Sequence, residues 1–375
     1  MANPIAEKMQ QGVDEGVFPG AVLLVSHKGR TVHHAAYGFA CLVPEREPVT
    51  VDTIYDLASL TKPIATAAAA AFLVADGRLG LDDPLEKFVP DLTQDALKKA
   101  TIRHLLNHTS RLPAWRPFYE RIVPDGRKLR EQPLSARRAA IYDAIHREPL
   151  TEPVGARCVY SDLGFILLGE ILERIVKQEW AAFIHVVVWA RLDAQGLFYM
   201  SEGGPTSGLL VDARRFAATE QDDWRGRMIR GEVHDENAAV MGGVSAHAGL
   251  FGTAVSVARA VSPWLAAVRG ESSPIPASLA KEFVRKQGID PQGSWALGWD
   301  TPSTGLAGTP SSSGAYFSPG SFGHLGYAGT SVWIDPERDL LVVLLTNRVH
   351  PTRRNDKIRA FRPAIHDVIF KSVVK

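Results

Sequence analysis

Apolar residues recur at every fourth position near the start of the chain, at Ile5, Met9, Val13 and Val17, with Glu7, Lys8, Asp14 and Glu15 between them. That spacing places one apolar stripe along a helix and predicts an amphipathic helix near the N-terminus. The period then changes. Residues 21–27 and 31–37 are rich in valine and small side chains, and Lys28-Gly29-Arg30 between them supplies a tight turn, so a β-hairpin is expected. Toward the other end, residues 329–334 and 340–346 form a second pair of strand-like runs around Asp335-Pro336-Glu337-Arg338, the later one apolar enough to be central. Residues 358–373 then close the chain as a helix carrying Ile358, Phe361, Ile365 and Ile369, despite Pro363.

Between these ends the pattern is helical. Residues 101–107, 136–145, 165–176 and 180–192 have helical periodicity, and residues 64–75, nearly all alanine and aliphatic, predict a helix buried on every side. The expected architecture is α+β: an antiparallel sheet built from both termini and flanked by helices, with a mostly helical domain inserted. Residues 1–75 and 240–375 are assigned to the first and residues 76–239 to the second, with the active site between them. Residues 301–320, rich in glycine, serine and proline and without periodicity, read as a mobile surface loop. No internal repeat is present.

Composition narrows the functional classes. The 375-residue chain has a formal charge of +1 and no basic stretch that tracks phosphates, so nucleic acid is not an expected partner. Cys41 and Cys158, the two cysteines, provide neither a disulfide framework nor metal-ligand spacing. The charged N-terminal helix does not read as a signal peptide, and the run 64–75 is well short of the ~20 residues that span a bilayer. A cytoplasmic protein without a membrane span is the expectation.

Chemistry enters at Ser59-Leu60-Thr61-Lys62, which places a hydroxyl and an amine one helical turn apart, at the start of the buried run. A lysine held neutral near pH 7 by burial would activate the serine as a nucleophile; the same four residues also fit an N-cap serine followed by a solvated lysine. Tyr160-Ser161-Asp162 precedes another apolar helix. Tyr160 there can exchange a proton with a reacting oxygen and Asp162 can hold the lysine, or Ser161 or Asp162 simply caps that helix. In Gly323-His324-Leu325-Gly326-Tyr327 the glycines allow a ligand close to the backbone, with the Tyr327 N–H aimed at an oxyanion and His324 facing the substrate. Two rivals are set aside. Gly243-Val244-Ser245-Ala246-His247 lacks the last glycine of a nucleophile elbow and reads as a loop beside the cleft. His104 and His108, at i and i+4, lack a third ligand and read as helix-end histidines.

Together, Ser59-Leu60-Thr61-Lys62, Tyr160-Ser161-Asp162 and His324-Leu325-Gly326 resemble the three motifs of the penicillin-recognising serine hydrolases: class C β-lactamases, D-alanyl-D-alanine carboxypeptidases and the esterases related to them. Tyr55-Asp56-Leu57-Ala58, the run Gly77 through Pro84, Leu105-Leu106-Asn107-His108-Thr109-Ser110, and Gly242-Gly243 through Phe251 resemble that family too. The resemblance implies a β-lactamase/transpeptidase-like fold and an acyl-enzyme mechanism without a cofactor or metal. Ser59 would be the nucleophile, Lys62 and Tyr160 would share the proton work, Asp162 would orient Lys62, and the N–H groups of Ser59 and Tyr327 would stabilise the oxyanion.

Two departures bear on substrate. Asp162 stands where the family usually has asparagine, and His324 where β-lactamases usually have lysine. With a reference pKa of about 6.5, a histidine anchors a substrate carboxylate only when protonated, so selectivity for anionic substrates is expected to follow the titration of His324. Small esters or amides are the expected substrates of a small-molecule hydrolase. The alternatives are D-Ala-D-Ala carboxypeptidase, D-aminopeptidase-like or weak β-lactamase activity, or a non-catalytic module that senses cell-wall fragments.

Overall fold

The apolar runs from the two ends of the chain pair with each other. In the computed structural model, which describes residues 3–208, 210–290, 293–303 and 311–374, strand Gly20–His27 lies between Arg30–Cys41 and Leu340–Thr346. Beyond these, Ser331–Asp335 and Phe322–Leu325 complete one side of the six-stranded antiparallel sheet and Glu47–Pro48 the other. The register sets Leu23 opposite Leu344 and Val25 opposite Val342. Side chains alternate across a strand, so Ala21, Leu23, Val25, Val342 and Leu344 pack with Ile5, Met9, Phe361, Ile365 and Ile369 from helices Pro4–Asp14 and Ile358–Val373. Val22, Leu24, Val343 and Leu345 join the opposite core, with the alanine-rich helix and Val257 and Trp264 of helix Ala254–Arg269. Both faces are covered, and for that reason these runs are continuously apolar and not alternating. Each such side chain contributes about 1.5–3 kcal/mol by leaving water.

The alanine-rich helix is longer than its apolar run suggested. It begins as a tight turn at Ala58–Leu60, widens into a π-type turn over Lys62–Ala67 and continues as Ala68–Ala75. The whole of Ala58–Ala75 is long and apolar enough to cross a membrane by composition, yet 83% of it is buried inside the protein. Alanine is needed there because backbone comes close: a Cβ on Gly298, itself at φ +79°, would lie 2.6 Å from Cβ of Ala67.

Helices Ile102–Leu106, Leu134–His146 and Asp162–Val176 match the middle of the chain as read from its periodicity, and Trp180–Leu192 is helical throughout with a π-type turn over Ile184–Trp189. A second antiparallel sheet joins Tyr55–Asp56, Leu250–Gly252, Phe198–Ser201 and Gly204–Pro205, so a strand from the middle segment pairs with one from the C-terminal part. Of the expected mobile loop 301–320, residues 304–310 lie outside the described residues. Residues 311–320 are anchored: Phe317 is buried against Trp333, and Ser318 bonds the buried Asp335 through its backbone N–H (2.9 Å) and its hydroxyl (2.7 Å). Composition suggests a free surface segment, but the Phe317 and Tyr316 rings and the Asp335 and Asp367 carboxylates hold residues 311–320 down.

Candidate active site

The site is built around the first turn of the buried helix. Asp56 accepts hydrogen bonds from the backbone N–H of Ala58 (2.8 Å) and of His234 (2.7 Å). This clamp holds Ala58 at φ +48°, a left-handed conformation uncommon outside glycine, and so presents Ser59 at the head of the helix. Thr61 secures the turn, its hydroxyl donating to the Ala58 carbonyl (2.6 Å) and accepting from the Leu250 N–H (3.2 Å).

Lys62 is wholly buried, and its ammonium has three acceptors: Ser59 Oγ at 3.0 Å, the His247 carbonyl at 3.0 Å and Asp162 Oδ1 at 2.6 Å. Burial alone would pull the amine's pKa down. The Asp162 carboxylate and the Tyr160 hydroxyl outweigh that pull, and the net direction is upward. The burial of Lys62 comes with a carboxylate partner, so at rest it is held as a charged donor to Ser59 and can act as a base only after losing a proton.

Ser161 explains how Asp162 is free for this task. Its hydroxyl caps helix Asp162–Val176 by accepting from the Gly164 N–H (3.1 Å) and donates to the Pro113 carbonyl (2.7 Å), so Asp162 in the first turn faces Lys62. Tyr160 lies with its ring centroid 4.9 Å from the Lys62 nitrogen and stacks on Trp295 at 5.0 Å. Burial pushes its hydroxyl up to about 12, against the opposing charge of Lys62. His108 is not on a helical face shared with His104. It lies past the helix end at φ +62°, its Nδ1 accepts the Ser161 N–H (3.1 Å), its carbonyl accepts the Val159 N–H (2.8 Å), and its ring packs on Tyr160 at 4.7 Å. His104 instead closes the capping box with Thr101.

The third motif is the short edge strand Phe322–Leu325 and the turn after it. His324 is buried, and its Nδ1 bonds the Leu325 carbonyl at 2.8 Å. Burial first, then the Lys62 charge, lower its pKa to about 3. Burial beside a fixed cation opposes its protonation, so the ring is held neutral near pH 7. Gly326 is also a packing position. A Cβ would meet Thr330 Oγ1 at 2.0 Å and the Leu57 carbonyl at 2.6 Å, so its smallness lets this turn pack on the nucleophile's turn. The Tyr327 N–H has no hydrogen-bond partner among the described residues, while its half-exposed ring lies between His234 at 5.7 Å and the Arg348 guanidinium at 4.5 Å.

Ser59, Tyr160, Asp162, His324, Gly326 and Tyr327 line one cleft of about 730 Å³, with Lys62 behind Ser59. All seven residues picked from the sequence are thus brought together. Trp115, Trp295, Asp235 and Asp300 line the same cleft and had no sequence signal, being single residues without a motif. His247 lay in the loop set aside. Its carbonyl receives Lys62, and its ring is pinned between Ser245 Oγ (2.8 Å) and Asp235 Oδ1 (3.0 Å).

Comparison with known proteins shows the family of the chain. Residues 5–364 match the model of the family described as Beta-lactamase. A putative D-alanyl-D-alanine carboxypeptidase of Escherichia coli (strain K12) is 30% identical over 373 residues, covering 93% of this chain and 82% of that protein. An N-acetylmuramyl-L-alanine amidase of Bacillus subtilis (strain 168) is 30% identical over 374 residues, covering 92% and 81%. Among solved structures, EstCE1, a hydrolase with promiscuous acyltransferase activity, superposes with a TM-score of 0.70 at 22% identity over 96% of this chain and 97% of its own. A class C β-lactamase from Rhodobacter sphaeroides gives 0.69 at 18% identity over 99% and 100%. The chain belongs to the β-lactamase family of serine hydrolases.

Proposed function

We propose that the protein hydrolyses small carboxylic esters or amides through a covalent acyl group on Ser59. The observation that carries this reading is the cluster at the cleft floor, where Ser59 Oγ, the Lys62 amine and the Asp162 carboxylate form one chain of contacts beside the Tyr160 ring. In molecules whose Lys62 has first lost its own proton, Ser59 Oγ attacks the substrate carbonyl and the neutral amine takes the hydroxyl proton. Tyr160, neutral at working pH, delivers a proton to the leaving group, and the N–H groups of Ser59 and Tyr327 receive the oxyanion. Water then attacks the acyl group by the reverse route. Neutral His324 supplies no charge for a substrate carboxylate, so any charge that attracts an anionic substrate comes from Arg348, Arg353, Arg359 and Arg362, which line the same cleft. The names of the two relatives favour a second reading in which the amide bond belongs to a cell-wall peptide.

A fluorophosphonate followed by intact-mass analysis is expected to add one label to Ser59. A panel of p-nitrophenyl esters, a chromogenic cephalosporin and a D-Ala-D-Ala peptide then separates the substrate readings. Fastest kcat/KM on the esters supports the first, fastest on the peptide the second, and no labelling at all favours a non-catalytic binding module and defeats both.

The resting ammonium of Lys62 has a kinetic consequence. A protonated lysine cannot take the Ser59 proton, so kcat/KM is expected to rise about tenfold per pH unit below the pKa of Lys62, which Asp162 holds above its ordinary value. In Asp162→Asn the pull of burial is left less opposed, the pKa falls, the base form appears at lower pH, and the acidic limb of the profile moves down by about one unit or more. A pH–rate profile of the two proteins checks the sign. Inactivity of the variant at every pH would instead make Asp162 the proton acceptor.

A further inference from the structure

Arg362 lies on helix Ile358–Val373 and is 5% exposed, yet no carboxylate pairs with it among the described residues. Other buried arginines do better: Arg111, Arg137 and Arg225 each have a carboxylate oxygen, of Glu152, Glu202 and Asp222, at 2.9, 2.7 and 2.6 Å. Burial, with Arg348 and Arg359 nearby, pulls the pKa of Arg362 down to about 9. An unpaired buried guanidinium is costly, and its partners suggest what it does. Its Nη2 donates to the Gly326 carbonyl (3.3 Å), which also accepts the Gly329 N–H (3.0 Å) within the turn, and to the Thr330 carbonyl (3.0 Å), whose oxygen accepts the Gly326 N–H at 2.7 Å as well. The Gly326 carbonyl and the Tyr327 N–H belong to one planar trans peptide. Holding its oxygen toward the helix therefore fixes the N–H on the opposite side of the plane. A cationic donor on that oxygen also polarises the amide, in surroundings of low dielectric where such effects are enhanced.

From this geometry we propose that Arg362 is a positioning residue of the oxyanion site, acting through the Gly326–Tyr327 peptide. The inference rests on the acyl-transfer reading of Ser59. The substrate touches Tyr327, and Arg362 sets the direction and strength of that donor. Its contribution grows as negative charge develops on the substrate oxygen and is small in the ground state. Its loss therefore lowers kcat and kcat/KM together and leaves KM unchanged.

The test uses Arg362→Met, which keeps the stem and removes the charge, with a neutral p-nitrophenyl ester and a boronic acid that forms a tetrahedral adduct on Ser59. Removing an oxyanion donor outright costs about 10²–10³-fold in kcat; for loss of its support a fall of about 10–10²-fold is expected, with boronate affinity weakened by a similar factor. The melting temperature is expected to hold or rise, because an unpaired buried charge has been replaced by an apolar group. A purely structural role would lower it. Arg362→Lys retains charge but not the fork, and is expected to give a smaller loss in both readouts; it serves alone if the methionine variant does not fold. Wild-type kcat and boronate affinity in the variants overturn the proposal, as does a loss confined to KM for anionic substrates, which would make Arg362 an anion anchor. A wild-type protein that binds neither boronate nor fluorophosphonate defeats the acyl-transfer reading, and this inference with it.

Discussion

Replacing Ser59 by alanine is expected to lower turnover by on the order of 10⁴- to 10⁶-fold, the scale lost when a serine hydrolase is deprived of its nucleophile, and to abolish fluorophosphonate labelling. The fold should persist. Ser59 contributes one of three acceptors to Lys62, and Asp162 at 2.6 Å and the His247 carbonyl at 3.0 Å remain. The turn itself is held by Asp56 through the Ala58 N–H and by Thr61 through the Ala58 carbonyl, neither of which involves the Ser59 side chain. The change in stability should then stay near about 1 kcal/mol, the net worth of a hydrogen bond. Steady-state rates, intact-mass labelling and thermal denaturation of the same preparation check all three statements, and hydrolysis at the wild-type rate would remove Ser59 from the mechanism.

Lys62→Met should be nearly as damaging to catalysis and far more damaging to the fold. Activity is expected to fall by about 10²–10⁴-fold through loss of the proton acceptor. The stability cost follows from what is left behind: Asp162, with 17% of its side chain exposed, loses the only cation paired with it among the described residues. Breaking a buried ion pair from one side costs about 3–5 kcal/mol, and the residual exposure of Asp162 places this case toward the lower end. Adding Asp162→Asn removes the stranded charge, so the double variant should regain much of the stability and none of the activity. Urea denaturation and ester hydrolysis of the two single variants and the double variant complete the cycle. A double variant that recovers activity as well would mean that Lys62 serves only to neutralise Asp162.

Local spacing made part of this site legible. Ser59 and Lys62 are three residues apart on one helix, so their contact follows from helical geometry. The sheet was equally accessible, because residues 21–25 and 340–345 are apolar throughout and pair with each other across the chain. Contacts between distant parts of the chain were not. The His247 carbonyl reaches Lys62 across 185 residues and His108 holds Ser161 across 53, and neither residue type announces such a partner. Protonation states were hidden for the same reason. Whether Lys62 is charged and His324 neutral is decided by burial and by neighbours that only the folded chain supplies. At Gly326, read from the sequence as room for a ligand, the fold adds a packing reason that the sequence did not show: the missing side chain makes room for Thr330 and the Leu57 carbonyl.

The close backbone packing beneath Ser59 limits how this enzyme can diversify. Ala67 lies against Gly298, and Gly326 against Thr330, at separations that admit no added methyl group, and overpacking such contacts typically costs about 1–3 kcal/mol each. The floor of the cleft is thus closed to mutational drift. Trp115 and Tyr327, 39% and 50% exposed, and the exposed Asp356 and Arg359 stand at its mouth with no such constraint. Adaptation to a new acyl group has its freedom at that rim, and a lineage could exchange substrates repeatedly while the helix under the nucleophile stayed fixed.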